Sequence, residues 1–134
     1  MKKLLTLLVL LSIVAVAKAQ KDTSASQPKS DTTLFMSVEI SPQFPGGQEA
    51  MNRFIGKNLK YPSGETREGR VFVEFVVELD GSLTRIHAAH GPSRVLDAEA
   101  VRVVASFPKW VPGIQNGHKA RVFSQAVITF VKPD

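Results

Sequence analysis

The sequence predicts a small α+β domain: a three-stranded, mostly antiparallel sheet with two helices packed on one face, in the order helix, hairpin, helix, strand. Three observations carry this. Arg70–Leu79 is apolar on both faces, the mark of a central strand. Asp80-Gly81 follows it directly and turns the chain into an antiparallel partner. Two stretches of helical apolar spacing flank that hairpin in sequence and supply the covering layer.

Pro42-Gln43-Phe44-Pro45-Gly46-Gly47 is a turn-rich lead-in to the domain, residues 43–134. Met51, Phe54, Ile55 and Leu59 then recur at helical spacing, and Tyr61-Pro62 ends the helix because a residue before proline avoids the helical region. In the central strand, Val71, Val73, Phe75, Val77 and Leu79 share one face, with Phe72, Glu74, Val76 and Glu78 on the other. Asp80-Gly81 reads as a two-residue turn. In the partner strand, Ser82–His90, Leu83 and the Ile86/Ala88 pair do not share one parity, which predicts a bulge between Leu83 and Ile86. Ser93 or Asp97 caps a second helix whose face is Leu96, Ala100, Val103, Val104 and Phe107, and Pro108 stops it. Lys109–His118 reads as a loop, with Trp110 folded back as a plug on the core. Lys119–Val131 is the last strand and fits on the free side of the central one. Its outer row of backbone groups is then unpaired.

The N-terminus reads as an export signal over residues 1–19. Lys2 and Lys3 precede Leu4–Ala17, a fourteen-residue run broken only by Thr6 and Ser12. Ala17-Lys18-Ala19 offers small residues for cleavage before Gln20. A membrane-spanning helix needs about 20 apolar residues, so a released protein is the expectation and a retained anchor the alternative. Residues 20–42 are polar and read as a flexible linker, from which Leu34–Ile40 could add a short strand or pack on the domain. The net charge is +5, of which Lys2, Lys3 and Lys18 belong to the signal, leaving +2. That balance, with no stripe of basic and aromatic residues, argues against nucleic acid. The chain has no cysteine, so disulfides, thiolate metal sites and a lipidated cysteine are excluded.

No catalytic constellation is visible, and the chain is read as a non-enzyme without cofactor or small-molecule substrate. His87 and His90 sit three apart on one strand and His118 lies in a loop, so surface histidines are expected rather than a metal site. No Gly-x-Ser-x-Gly turn occurs. Glu74 and Glu78 are about 13 Å apart along a strand, too far for a glycosidase pair, and are expected as solvated residues.

Together these residues resemble the C-terminal domain of the TonB family, from about Phe44 to Phe130. The resemblance rests on Phe44-Pro45-Gly46-Gly47, Tyr61-Pro62, Gly69-Arg70-Val71, Asp80-Gly81, Leu96-Asp97 with Glu99-Ala100, Pro108-Lys109-Trp110 and Pro112-Gly113. It implies a periplasmic domain that binds an extended segment, the TonB box, of outer-membrane receptors by adding it as a strand. The unpaired edge at Lys119–Val131 suits that mode. Arg121, Phe123, Gln125 and Val127 are expected at the docking edge, and the resemblance adds Asn58 and Tyr61 near the end of the first helix. Another envelope protein, a second copy of the domain as a homodimer, or the chain's own Leu34–Ile40 stretch covering the edge are the other expected occupants. Full TonB proteins carry a membrane anchor and a long Pro- and Lys-rich spacer. Here the linker holds only Pro28 before Pro42. The two expectations are a free periplasmic binding module and, if the N-terminal run is retained, an anchored energy transducer for outer-membrane transport.

Overall fold

The structure, a computed structural model, describes residues 33–134. The export signal and the linker up to Thr32 lie outside the described residues. The elements are β1 (Leu34–Phe35), α1 (Gly47–Asn58), β2 (Gly69–Val77), β3 (Leu83–His90), α2 (Arg94–Ala105), β4 (Gly113–Gln115) and β5 (His118–Phe130). The strands run in the order β1-β5-β2-β3, with β4 paired to β5. The expected fold holds: β2 is central, antiparallel to β3 on one side and to β5 on the other. Two short strands, β1 and β4, are additions to it.

The alternation read in the sequence sets the layers. Val71, Val73, Phe75 and Val77 of β2 are fully buried, as are Ile128 and, nearly, Ala126 and Phe130 of β5. They meet Leu96, Ala100 and Val104 of α2 and Met51 of α1 in one core. Ser93 is the cap of α2: its side chain accepts the Leu96 N–H at 3.2 Å, satisfying one of the orphan donors of the first turn. α1 ends at Asn58, short of Tyr61. Leu59 N–H still donates to Ile55 O at 2.8 Å, but its ψ of 130° turns the chain out of the helix, and the Asn58 side chain donates to the Phe54 carbonyl of the last turn at 2.8 Å. Trp110 is buried as expected, with ring centroids 5.2 Å from Phe75 and 6.1 Å from Phe44. Phe44, Phe54 and Phe107 continue this aromatic cluster, which fastens the lead-in and α1 to the end of α2.

Two turns differ from the sequence reading. The β2–β3 hairpin is longer than two residues. Glu78 N–H donates to Ser82 O at 2.8 Å, Gly81 N–H donates to Glu78 O at 2.9 Å, and the loop is Leu79-Asp80-Gly81. Only Gly81 has positive φ, at 87°; Asp80 instead accepts the Ser82 N–H and hydroxyl on its carboxylate. The second difference is the Lys109–His118 loop, which contains β4 and a hairpin turning on Asn116-Gly117, φ 51° and 75°. The expected bulge in β3 is present: the register with β2 shifts between Glu74 and Val76, and Arg85 stands there at φ 53°.

Candidate functional site

The site is β5 and the sheet face that the helices leave open. From Val122 to Phe130 one side of β5 pairs with β2. At Val122 the other side pairs with Phe35, and at Arg121 with Leu34, in a parallel ladder. Lys119 and Ala120 pair with β4. The edge expected to be open over Lys119–Val131 is therefore occupied at its first residues, by Leu34–Phe35 from the stretch that could add a short strand and by β4 from the segment read as a loop. Among the described residues, no strand pairs the outer side of Phe123–Phe130.

Arg121, Phe123, Gln125 and Val127 all point to the open face, because the alternate residues Val122, Ala126, Ile128 and Phe130 point into the core. β2 supplies the next row: Phe72 opposite Val127, Glu74 opposite Gln125, Val76 opposite Phe123. The face is thus apolar in the middle and charged around it. Glu78 and Arg121 form one rim. Arg121 Nε and Nη2 donate to the two Glu78 oxygens at 2.6 and 3.0 Å, and Thr84 Oγ1 donates to Glu78 at 2.6 Å. The Arg121 bond holds the Glu78 carboxyl below the usual carboxylate range, against the opposing effect of burial. Glu74 meets His87 at 3.1 Å. Both glutamates lie on the open face as expected, but each is partnered rather than simply solvated.

Two hollows border β5. One, about 220 Å³, crosses the open face between Leu34, Phe123, Val76, Arg85 and His87. The bulge at Arg85 brings that side chain to its wall. The other, about 480 Å³, is a cleft between the strap Met36–Val38 and Met51, Trp110 and Val122–Gln125. The strap passes Phe123–Gln125 without pairing to it.

Asn58 and Tyr61 do not join this group. Tyr61 packs on Phe130, centroids 6.5 Å apart, and its hydroxyl donates to Arg67 O at 2.7 Å. Asn58 is occupied with the end of α1, and its carbonyl accepts from Arg102 Nη2 at 2.7 Å. Conversely, Phe72, Val76 and Arg85 line the open face without having been singled out for it, and Leu34 comes from the stretch that could add a short strand. The parity of Phe72 and Val76 was legible; the placement of Leu34 needed a long-range contact. Among the described residues there is no group of three or more metal-ligating side chains, and no helix is long and apolar enough to cross a membrane.

A small α+β domain with a long edge strand, open along most of its outer side and backed by an apolar sheet face, is built as an interaction domain. Residues 57–131, 75 of the 134, match the family described as the Gram-negative bacterial TonB protein C-terminal, and the chain belongs to that family. The Phe44–Gly47 lead-in and most of α1 precede the matched residues. Domains of this family are interaction and energy-transduction modules, not enzymes, and they work with outer-membrane receptors in the cell envelope. The solution structure of the Helicobacter pylori TonB C-terminal domain is similar to this chain, at 22% identity and a TM-score of 0.47, over 67% of this chain and 89% of that one. Comparison with curated proteins finds no match.

Proposed function

We propose that this is a periplasmic TonB-like module that docks an extended, TonB box-like segment of an outer-membrane receptor as an added strand on the outer side of β5. The observation that supports this reading is the unpaired edge Phe123–Phe130 beside the apolar row Phe123, Val76, Phe72 and Val127. Strand addition draws affinity from backbone bonds and selectivity from alternate side chains. Both are available there: a row of unused donors and acceptors, and an open face that receives every second side chain of the guest. Arg121, Phe123, Gln125 and Val127 are its contact residues in this reading.

Proline scanning tests it. In an antiparallel ladder consecutive residues direct their N–H groups to opposite sides. Of Ser124→Pro and Gln125→Pro, one removes a bond to β2 and lowers stability, and the other removes only an outward N–H. The stable variant should lose docking of synthetic peptides tiled over the exported N-terminal segments of outer-membrane receptors from the same genome. Wild-type affinity in that variant would remove the site from β5.

The release of the module, as opposed to its anchoring as a transducer, rests on the length of the Leu4–Ala17 run. N-terminal sequencing of protein isolated from cells should read from Gln20 in the soluble periplasmic fraction. A start at Met1 in the inner membrane would replace the free module with the anchored one.

A further inference from the structure

We propose that Leu34–Phe35 is a resident plug on the docking edge, held in cis and displaced when a partner strand binds. The inference rests on the reading of β5 as that edge. β1 occupies the outer side of β5 at Arg121 and Val122, immediately before the first open position, Phe123. A guest strand extending along β5 toward Arg121 meets Phe35 there. The strap Met36–Val38 also overhangs Phe123–Gln125.

The attachment of this segment is uneven, and the unevenness defines a hinge. Ile40 and Ile114 exchange both backbone bonds, at 3.1 and 2.9 Å, and Gln43 and Val111 do the same at 3.1 and 2.8 Å. Those two bridges fix the chain from Ile40 onward. Just ahead of them Glu39 N–H donates to Gln115 Oε1 at 3.0 Å, and before that Met36–Val38 borders the 480 Å³ cleft, with Met36 70% exposed. Ahead of that strap, β1 is a two-residue strand, each residue only half-buried. Leu34 also borders the 220 Å³ hollow, so on that side no protein atoms pack against it as they do around a core residue. The plug can therefore leave while Ile40 and Gln43 keep the strap on the body. Tethered this close, it returns at high effective concentration when the guest departs.

The plug also describes its replacement. Leu34 lies opposite Arg121, on the open face, against Phe123 and Val76. The guest residue that takes its place carries an apolar side chain sized for the hollow whose wall includes Arg85 and His87. Apparent affinity falls by the fraction of time the edge is clear, so a plug seated 90–99% of the time weakens docking by about 10- to 100-fold.

A reversible staple tests this in the full chain. Phe35 and Val122 are ladder partners and the protein has no cysteine of its own, so Phe35→Cys with Val122→Cys makes a single possible disulfide. The same tiled receptor peptides are the probe. The oxidised staple should lose at least tenfold in affinity and recover on reduction, while Leu34→Pro, which loosens the plug, should bind about tenfold or more tighter than wild type. Amide exchange at Arg121–Ser124 in the free protein should quicken in Leu34→Pro. Equal affinity in oxidised, reduced and Leu34→Pro forms, with docking still sensitive to the outward-facing proline in β5, would overturn the plug and leave the edge standing. Docking insensitive to that proline, or absent from every form, would overturn the edge and the plug with it.

Discussion

Gly81→Ala probes how the β2–β3 turn holds Trp110, and its size follows from two separable causes. Gly81 has φ +87°, and a Cβ there would stand 2.1 Å from the Trp110 carbonyl oxygen, a backbone atom that cannot rotate away. The left-handed conformation alone costs a residue with a Cβ about 1–2 kcal/mol. Relieving the overlap separates the two segments and breaks the 2.8 Å bond from Trp110 N–H to Gly81 O, worth about 1 kcal/mol. It also shifts a ring packed on Phe44, Phe75 and Phe107, for a total of about 3–4 kcal/mol. Gly117 is the internal control: φ is +75° and nothing lies within 4 Å of its Cβ position, so Gly117→Ala carries only the first cost. Urea unfolding followed by fluorescence of Trp110, the single tryptophan, measures both. With a slope of about 1.5 kcal/mol per M, the midpoint should fall by about 2 M for Gly81→Ala and about 1 M or less for Gly117→Ala. Equal losses in the two variants would refute the argument, because the overlap with Trp110 would then cost nothing.

Other expectations follow from the same geometry. Arg121→Met and Glu78→Gln, made singly and together, should show a coupling of about 1–2 kcal/mol in a double-mutant cycle, since both side chains are mostly buried, 15% and 21% exposed. Glu78 is held below its ordinary value in the folded state. Its contribution is therefore full above the unfolded value, about 4.3, and is lost as pH falls through the folded one. Glu78→Gln should accordingly flatten the acid limb of the stability profile and lower stability at pH 7. Ser93→Ala removes the α2 cap and the hydroxyl that donates to Glu65 at 2.7 Å; it should cost about 1 kcal/mol, seen as a melting temperature about 4–8 °C lower.

What the sequence disclosed depended on the range of the interaction. β2 was legible because its alternation is set by residues two apart, and the β3 bulge because Leu83 and Ile86 could not both face the core of a regular strand. Ser93, one of two caps offered, and Trp110 were legible through local chemistry, while α2 stops at Ala105 and leaves Phe107, read as part of its face, beyond its end. Lys109–His118 was read as a loop and β4 within it was not legible, since three residues carry too little pattern. β1 lies at the far end of this scale. Leu34 and Phe35 are two apolar residues in a polar stretch, and only their partners, 87 residues away in the register Leu34↔Arg121, make them a strand. Parity placed Phe123, Gln125 and Val127 opposite the core face of β5, where the structure has them. Asn58 and Tyr61 came from resemblance alone, and the structure ties them to the end of α1 and to Phe130.

The bridges of Ile40 and Gln43 to the segment around β4 also set a mechanical route. Tension arriving along the chain ahead of Thr33 first strips the weakly held β1 and then reaches those doubly bonded anchors. From Ile114 it crosses the β4–β5 hairpin into β5. A guest strand on β5 would take up the load there, one strand from where it entered. Neither helix lies on that line. In an anchored form of the chain, the slack on this route would be the plug and the stiff link the β4–β5 hairpin, with the load entering the core on β5.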